Sequence, residues 1–263
     1  MFTLEQFGET SSAASHTVVL LHAFPLERSM WHNTARGLIA KLPGVRIILP
    51  NTYGAEGLAA SESWTMQRFA EYLQDALRSI GIMRCVLGGC SMGGYQALAF
   101  AARFSDSVAG LILSNTKSTA DSPEAARDRI AFADELGTRG SIVAVERVLP
   151  KALVGQSVYE EAERRSLLEA MILRQDPHSL AEALLAMEAR HDTTAVLRSL
   201  KVPVLAIAGG ADAIIDASEL VHVSAAARNS TLHIMPGAGH LAPFDQPEPW
   251  ATIVAEFIAG CGK

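Results

Sequence analysis

The chain is 263 residues long, 49% hydrophobic and 19% charged, enough apolar material for one large core and too little charge for a disordered chain. Lys and Arg number 22 against 28 Asp and Glu, a net charge of -6, which excludes a nucleic-acid binder working through a phosphate-neutralising surface. No apolar run approaches the roughly 18 residues that span a bilayer, and Met1 to Ser15 lacks the basic start and apolar stretch of a secretory signal. A soluble cytoplasmic protein with no nucleic-acid or membrane partner is expected. The three cysteines, Cys85, Cys90 and Cys261, are odd in number and scattered, so neither a disulfide framework nor a zinc site is expected.

In chain order, Thr17 to Leu21 reads as a buried strand, followed by a helix near Trp31 to Leu42. Val45 to Leu49, closed by Pro50, is the second strand. Trp64 to Ile80 sets Phe69, Leu73, Leu77 and Ile80 on one helical face, with Ser63 as N-cap. Met83 to Leu87 is the third strand; a glycine-rich turn and an alanine-rich helix, Tyr95 to Arg103, come after it. Val108 to Leu113, Pro203 to Ala208 and Thr231 to Met235 are the remaining strands, and a last helix covers Pro247 to Ala259. Fully apolar strands alternating with helices predict a mostly parallel sheet covered on both faces, an α/β fold.

Lys117 to Leu200 breaks this alternation. Ser122-Pro123 and Asp176-Pro177 read as N-caps with proline at the first helical position. Leu167, Leu168, Met171 and Ile172 cluster at helical spacing, as do Leu180, Leu184 and Leu185. The simplest organisation is a core of residues 1–116 and 201–263 with a helical cap, 117–200, inserted over the carboxyl edge of the sheet, where open α/β sheets bind ligands. Glu160, Glu161, Arg164 and Arg165 pair at i,i+4 and are read as a solvated helix face.

Gly89, Ser91 and Gly93 form a G-x-S-x-G pattern between a buried strand and a helix. The turn forces the serine into a strained backbone conformation, and only minimal side chains two residues either side let strand and helix approach. The hydroxyl then projects above the sheet at a helix N-terminus, where developing negative charge is favoured. A serine needs a base, itself oriented by a carboxylate. Of the eight histidines, His240 lies in Gly237-Ala238-Gly239-His240, directly after the last strand and at the same edge as Ser91. His16, His32, His178, His191, His222 and His233 fall on helices, termini, turns or within a strand. Asp212 follows Pro203 to Ala208 through Gly209-Gly210-Ala211; its rival Asp216 stands where the next helix begins and is read as that helix's cap. Backbone N–H donors for an oxyanion are expected at Met92 and at Phe24, in the loop His22-Ala23-Phe24-Pro25, with His22 bracing the loop. Cys90 should point away from the pocket.

These segments resemble the α/β-hydrolase superfamily along nearly the whole chain, and most of all its small cap-bearing bacterial serine hydrolases: carboxylesterases, 3-oxoadipate enol-lactonases and cofactor-free haloperoxidase/perhydrolases. The residues that carry the likeness are Leu20 to Leu26, Gly89 to Gly94, Pro203 through Asp212, and Gly237 to His240. Two departures stand out: Ala23 occupies a position that is usually glycine, and the short N-terminal segment calls for a compact antiparallel hairpin. The resemblance implies a helical cap, no cofactor and no metal. It implies hydrolysis of a small ester or lactone, with Ser91 as nucleophile, His240 as base, Asp212 as its orienter and the N–H groups of Phe24 and Met92 as oxyanion donors. Perhydrolysis or acyl transfer, carbon–carbon bond hydrolysis and a non-catalytic receptor are the alternatives. The oxyanion loop lacks the longer glycine-rich stretch usual in carbon–carbon hydrolases, and receptors tend to lose the triad. Trp31 is a candidate for the substrate pocket or the core; Arg174 and Arg190 are candidates for a substrate carboxylate or for pairing with nearby acids. The oligomeric state is not legible.

Overall fold

The computed structural model describes residues 3–11, 14–52, 64–153 and 158–261. A seven-stranded sheet runs through it in the order β1-β3-β2-β4-β5-β6-β7. The strands are β1 (Leu4–Gly8), β2 (His16–Leu21), β3 (Val45–Pro50), β4 (Cys85–Cys90), β5 (Val108–Ser114), β6 (Val204–Gly209) and β7 (Ser230–Met235). All neighbours are parallel except β1, which lies antiparallel to β3. Every residue of β4, β5 and β6 is buried, as fully apolar central strands require.

Helices α1 (His32–Lys41) and α11 (Pro247–Ala259) pack on each other, and α2 (Met66–Ser79) packs on α3 (Met92–Arg103). Further on, α9 (Ala217–Ala226) covers β6 and β7, and a short turn, α10 (Ala242–Asp245), leads into α11. Between β5 and β6 come α4 (Pro123–Arg139), α5 (Ile142–Ala152), α6 (Val158–Leu173), α7 (Pro177–Glu188) and α8 (Thr194–Ser199). The first four pack among themselves, whereas α8 lies against α3 and α9. Among the described residues no helix is long and apolar enough to cross a membrane.

The segments read from sequence stand where expected, with differences that have physical causes. Ser122 and Asp176 cap α4 and α7, accepting from the N–H groups of Ala125 at 3.2 Å and Ser179 at 2.8 Å. Ser63 lies outside the described residues; Thr65 caps α2, accepting from the Arg68 N–H at 3.1 Å. The third strand starts at Cys85, leaving Met83 exposed, and runs on through both glycines to Cys90. A Cβ on Gly88 would sit 2.8 Å from Leu20, so glycine is there for packing between strands and not for the turn. Leu168, Met171, Ile172, Leu180 and Leu184 are buried, whereas Leu167 and Leu185 face outward. The expected N-terminal hairpin is corrected: β1 skips β2 and pairs with β3, because β4 already occupies the other edge of β2.

Candidate active site

Ser91 is the single residue between β4 and α3, at φ 53 and ψ -115, a conformation that costs on the order of 1–3 kcal/mol for a non-glycine residue. The neighbouring glycines make the turn possible. A Cβ on Gly89 would lie 2.1 Å from the Gly93 carbonyl, and one on Gly93 2.2 Å from the Leu21 carbonyl oxygen. The elbow therefore needs glycine two residues on either side of the serine because the backbones touch there.

The turn aims the Ser91 hydroxyl at His240, and Oγ lies 2.9 Å from Nε2. On the other side of the ring, Nδ1 is 2.9 Å from Asp212 Oδ2 and 3.1 Å from Oδ1. A proton on Nδ1 donates to the carboxylate and leaves Nε2 as acceptor for the serine proton. The Asp212 carboxylate is well held: Oδ1 accepts from the N–H groups of Ile214 at 2.8 Å and Ile215 at 3.0 Å, and Oδ2 from Asn115 Nδ2 at 3.0 Å. Burial alone would raise its pKa, but the hydrogen bond and charge of His240, with the bonds from Asn115 and Ile215, hold it below the ordinary value. Asp216 caps α9 instead, accepting from the Ser218 N–H at 2.9 Å.

His22 stays out of this relay. Its Nε2 accepts from the Thr52 N–H at 2.9 Å, so Nδ1 carries the proton and donates to the Ala23 carbonyl at 3.0 Å. It braces the loop after β2. The N–H groups of Phe24 and Met92 take no part in the turn and loop hydrogen bonds among the described residues. Both residues line one small recess beside His22 and Thr52.

A cavity of about 350 Å³ opens over Ser91, His240 and Phe24, and its far walls come from Phe132 of α4, Val148 of α5 and Leu184 and Met187 of α7. Trp31 does not line it. The Trp31 ring is fully buried and packs at a tilt of 52° against Trp250 of α11 with centroids 5.3 Å apart. The pocket assignment for Trp31 is corrected to core, because the turn at Arg28–Trp31 directs the ring toward the α1/α11 interface. Arg174 pairs with Glu27 at 2.9 Å, and Arg190 pairs with Asp121 at 2.8 Å while stacking on the Tyr95 ring at 4.0 Å. Cys90 is buried beneath the elbow. Burial first, then the charges of Asp212 and Asp245, push its thiol well above the ordinary range.

Two residues at this site were missed from sequence. Asn115, at φ 50 and fully buried, donates from Nδ2 both to Asp212 and to the Gly239 carbonyl at 3.1 Å, and accepts from Ser114 Oγ at 2.9 Å. The polar run Ser114-Asn115-Thr116 directly after a buried strand was the available signal. Asp245 accepts from the Gly239 N–H at 2.8 Å. Its signal was weaker, a carboxylate five positions after the histidine.

A strained serine after a parallel strand, hydrogen-bonded to an imidazole that a buried carboxylate orients, is the arrangement of nucleophilic acyl chemistry on an α/β sheet. The alpha/beta hydrolase fold family matches residues 16–247, and the chain belongs to it. Its structure is similar to that of a thermophilic esterase from Thermogutta terrifontis, with 32% identity, a TM-score of 0.91, and coverage of 98% of this chain and 93% of that one. It also resembles the enol-lactonase of Burkholderia xenovorans LB400 in fold, with 22% identity, a TM-score of 0.87, and coverage of 98% and 96%. In sequence it is 25% identical over 251 residues to a 2-hydroxy-6-oxononadienedioate/2-hydroxy-6-oxononatrienedioate hydrolase of Pseudomonas putida, covering 93% of this chain and 88% of that protein.

Proposed function

We propose that the protein hydrolyses small to medium-sized carboxylic esters or lactones through an acyl-enzyme on Ser91. The observation that carries this reading is the unbroken chain Ser91 Oγ to His240 Nε2 at 2.9 Å and His240 Nδ1 to Asp212 Oδ2 at 2.9 Å. Ser91 attacks the acyl carbon while His240 takes its proton, and His240 then returns the proton to the leaving alcohol. Water, activated by the same imidazole, releases the acid. Asp212 holds the tautomer and stabilises the imidazolium. The N–H groups of Phe24 and Met92 receive the oxyanion. Helices α4 to α7 act as a cap over the sheet edge, and the cavity of about 350 Å³ is at the small end of ligand sites. The esterase of 32% identity supports this substrate class. The setting we infer is the cytoplasm, with a small-molecule substrate and neither nucleic acid nor membrane as partner.

Carbon–carbon bond cleavage on the same three residues is the second reading. Sequence likeness to the Pseudomonas putida hydrolase over 93% of this chain favours it, and the short oxyanion loop argues against it. Perhydrolysis or acyl transfer would differ only in the acceptor.

The deciding assay sets p-nitrophenyl esters of graded acyl length beside an enol-lactone and a 2-hydroxy-6-oxo-dienoate. The expected result is turnover of acetyl to butyryl esters or of the lactone, with little on long emulsified esters. kcat/KM should rise with pH as the imidazole becomes neutral. Turnover of the dienoate alone, or a profile falling from pH 6 to 8, refutes ester hydrolysis through a His240 base.

A further inference from the structure

Asp245 closes the short turn α10, five positions after His240. Its side chain is 1% exposed, Oδ2 accepts from the Gly239 N–H at 2.8 Å, and Oδ1 has no hydrogen-bond partner among the described residues. Gly239 is thus held on both sides, the preceding peptide through its N–H by Asp245 and the following one through its carbonyl by Asn115 Nδ2 at 3.1 Å. The next residue is His240, so this grip sets where the imidazole starts from.

The expected solvated face of α6 does not describe Arg164; the side chains of Glu160 and Glu161 lie outside the described ones. Arg164 Nη1 donates to the Asp245 carbonyl at 3.0 Å and stands 3.8 Å from Oδ1. One guanidinium from the helical block therefore reaches the loop that carries the histidine. Among the described residues, the charged or titratable groups facing Asp245 are Arg164 of α6, His240 and Asp212 of the two loops, and the Cys90 thiol of β4. Desolvation dominates and pushes the carboxyl up to about 6, against the Gly239 N–H and the charges of Arg164 and His240, with Asp212 adding to the rise. A half-satisfied buried carboxylate is a costly choice where a neutral amide of the same shape would serve for packing alone.

We propose that Asp245 is a positioning residue, fixing the Ala238–Gly239 peptide just ahead of His240 so that Nε2 meets Ser91, and that Arg164 makes this hold depend on the seating of α6. The inference rests on His240 being the base. Asp245 also adds negative charge beside the imidazolium that forms as the serine proton moves, and Arg164 offsets part of it.

The test compares Asp245→Ala, Asp245→Asn, Arg164→Met, Arg164→Lys and His240→Ala on an activated aryl acetate. Fluorophosphonate labelling rate and hydrogen exchange of the 237–241 segment serve as parallel readouts. Asp245→Ala should lower kcat tenfold or more with KM nearly unchanged, slow labelling in parallel and speed exchange of the segment. Asp245→Asn keeps an acceptor for Gly239, so kcat should return to within about threefold of the parent. Its kcat/KM midpoint should move to lower pH because a negative neighbour is gone. Arg164→Met removes a positive neighbour and should move the midpoint the other way, with Arg164→Lys restoring it. Midpoints that stay put in both variants, or that move in the same direction, overturn the proposal, as does a kcat within twofold of the parent in Asp245→Ala. Should Asp245→Ala fail to fold, the opposed shifts in Asp245→Asn and Arg164→Met decide alone. Retained turnover in His240→Ala would instead overturn the reading of the site itself.

Discussion

Removing the Asn115 amide separates two effects that the structure places on one residue. Asn115→Ala deletes a hydrogen bond to the Asp212 carboxylate at 3.0 Å, one to the Gly239 carbonyl at 3.1 Å and the one accepted from Ser114 Oγ at 2.9 Å, and it leaves alanine at φ 50. A bond to a charged group contributes about 1.5–3 kcal/mol and one to a neutral group about 0.5–1.5 kcal/mol. Alanine in the left-handed region costs roughly a further 1 kcal/mol relative to glycine. Asn115→Gly removes the same bonds but tolerates the backbone, so Ala should be less stable than Gly by about that last amount. Asn115→Gly should fall below the parent by roughly 2.5–6 kcal/mol, and Asn115→Ala by about 1 kcal/mol more. The kinetic loss should be smaller than in Asp212 variants, because Oδ1 keeps the N–H groups of Ile214 and Ile215 and Oδ2 keeps His240. About 10- to 100-fold in kcat is expected, which corresponds to roughly 1.4–2.7 kcal/mol. Urea unfolding at pH 7 and kcat/KM on an aryl acetate read the two quantities separately. Gly and Ala variants both within 0.5 kcal/mol of the parent (well below the ~2.5 kcal/mol floor), or a kinetic loss equal to that of Asp212→Asn, refutes the reasoning.

Ser91→Ala should abolish esterase activity while retaining the fold, and a fluorophosphonate should label the parent at Ser91 alone; Cys90→Ala should stay active, since the thiol lies beneath the elbow. Asp212→Asn should lower kcat by orders of magnitude by favouring the wrong imidazole tautomer, whereas Asp216→Asn should cost only a helix cap's stability, seen as a lower Tm with kcat within a fewfold. Trp31→Ala should destabilise by about 3–5 kcal/mol through a core cavity, with the order of ester preference preserved because the ring lies off the pocket. Asp245 is held with its carboxyl pushed up to about 6, first by burial. An acid raised on folding contributes stability below its unfolded value that is lost as pH rises through the folded one. The Tm of the parent should therefore fall relative to Asp245→Asn between pH 4 and 7, by the equivalent of at most about 3 kcal/mol, and a constant difference across that range contradicts the raised carboxyl.

What was legible in the chain is what short-range sterics and strand order dictate. Gly89, Ser91 and Gly93 announce the elbow because the clashes they avoid, 2.1 and 2.2 Å at the absent Cβ atoms, admit no larger side chain. Asp212 and His240 could be chosen over Asp216 and most other histidines because each lies in the short loop after a parallel strand, β6 and β7, and so shares the edge of Ser91. Position alone did not separate His22, which also follows a buried strand at that edge; its bonds to Thr52 and Ala23 do, because they occupy both ring nitrogens.

The remaining features depend on which distant segments meet. Trp31 was equally compatible with pocket and core until Trp250, far along the chain, packed against it at 5.3 Å. The skip of β1 to β3 follows from β3 and β4 filling both edges of β2, which periodicity within β1 does not encode. Asn115 and Asp245, remote from each other in the chain, hold Gly239 by its carbonyl and its N–H, and Arg164 of α6 reaches that loop from 81 positions away in sequence. The sequence by itself singled out Ser91, His240 and Asp212, which the fold brings into one hydrogen-bonded chain, because backbone crowding and the polarity of a parallel sheet act locally. Only the tertiary structure decided what holds the histidine loop in place, because a hydrogen bond between remote side chains leaves no periodic trace in either segment.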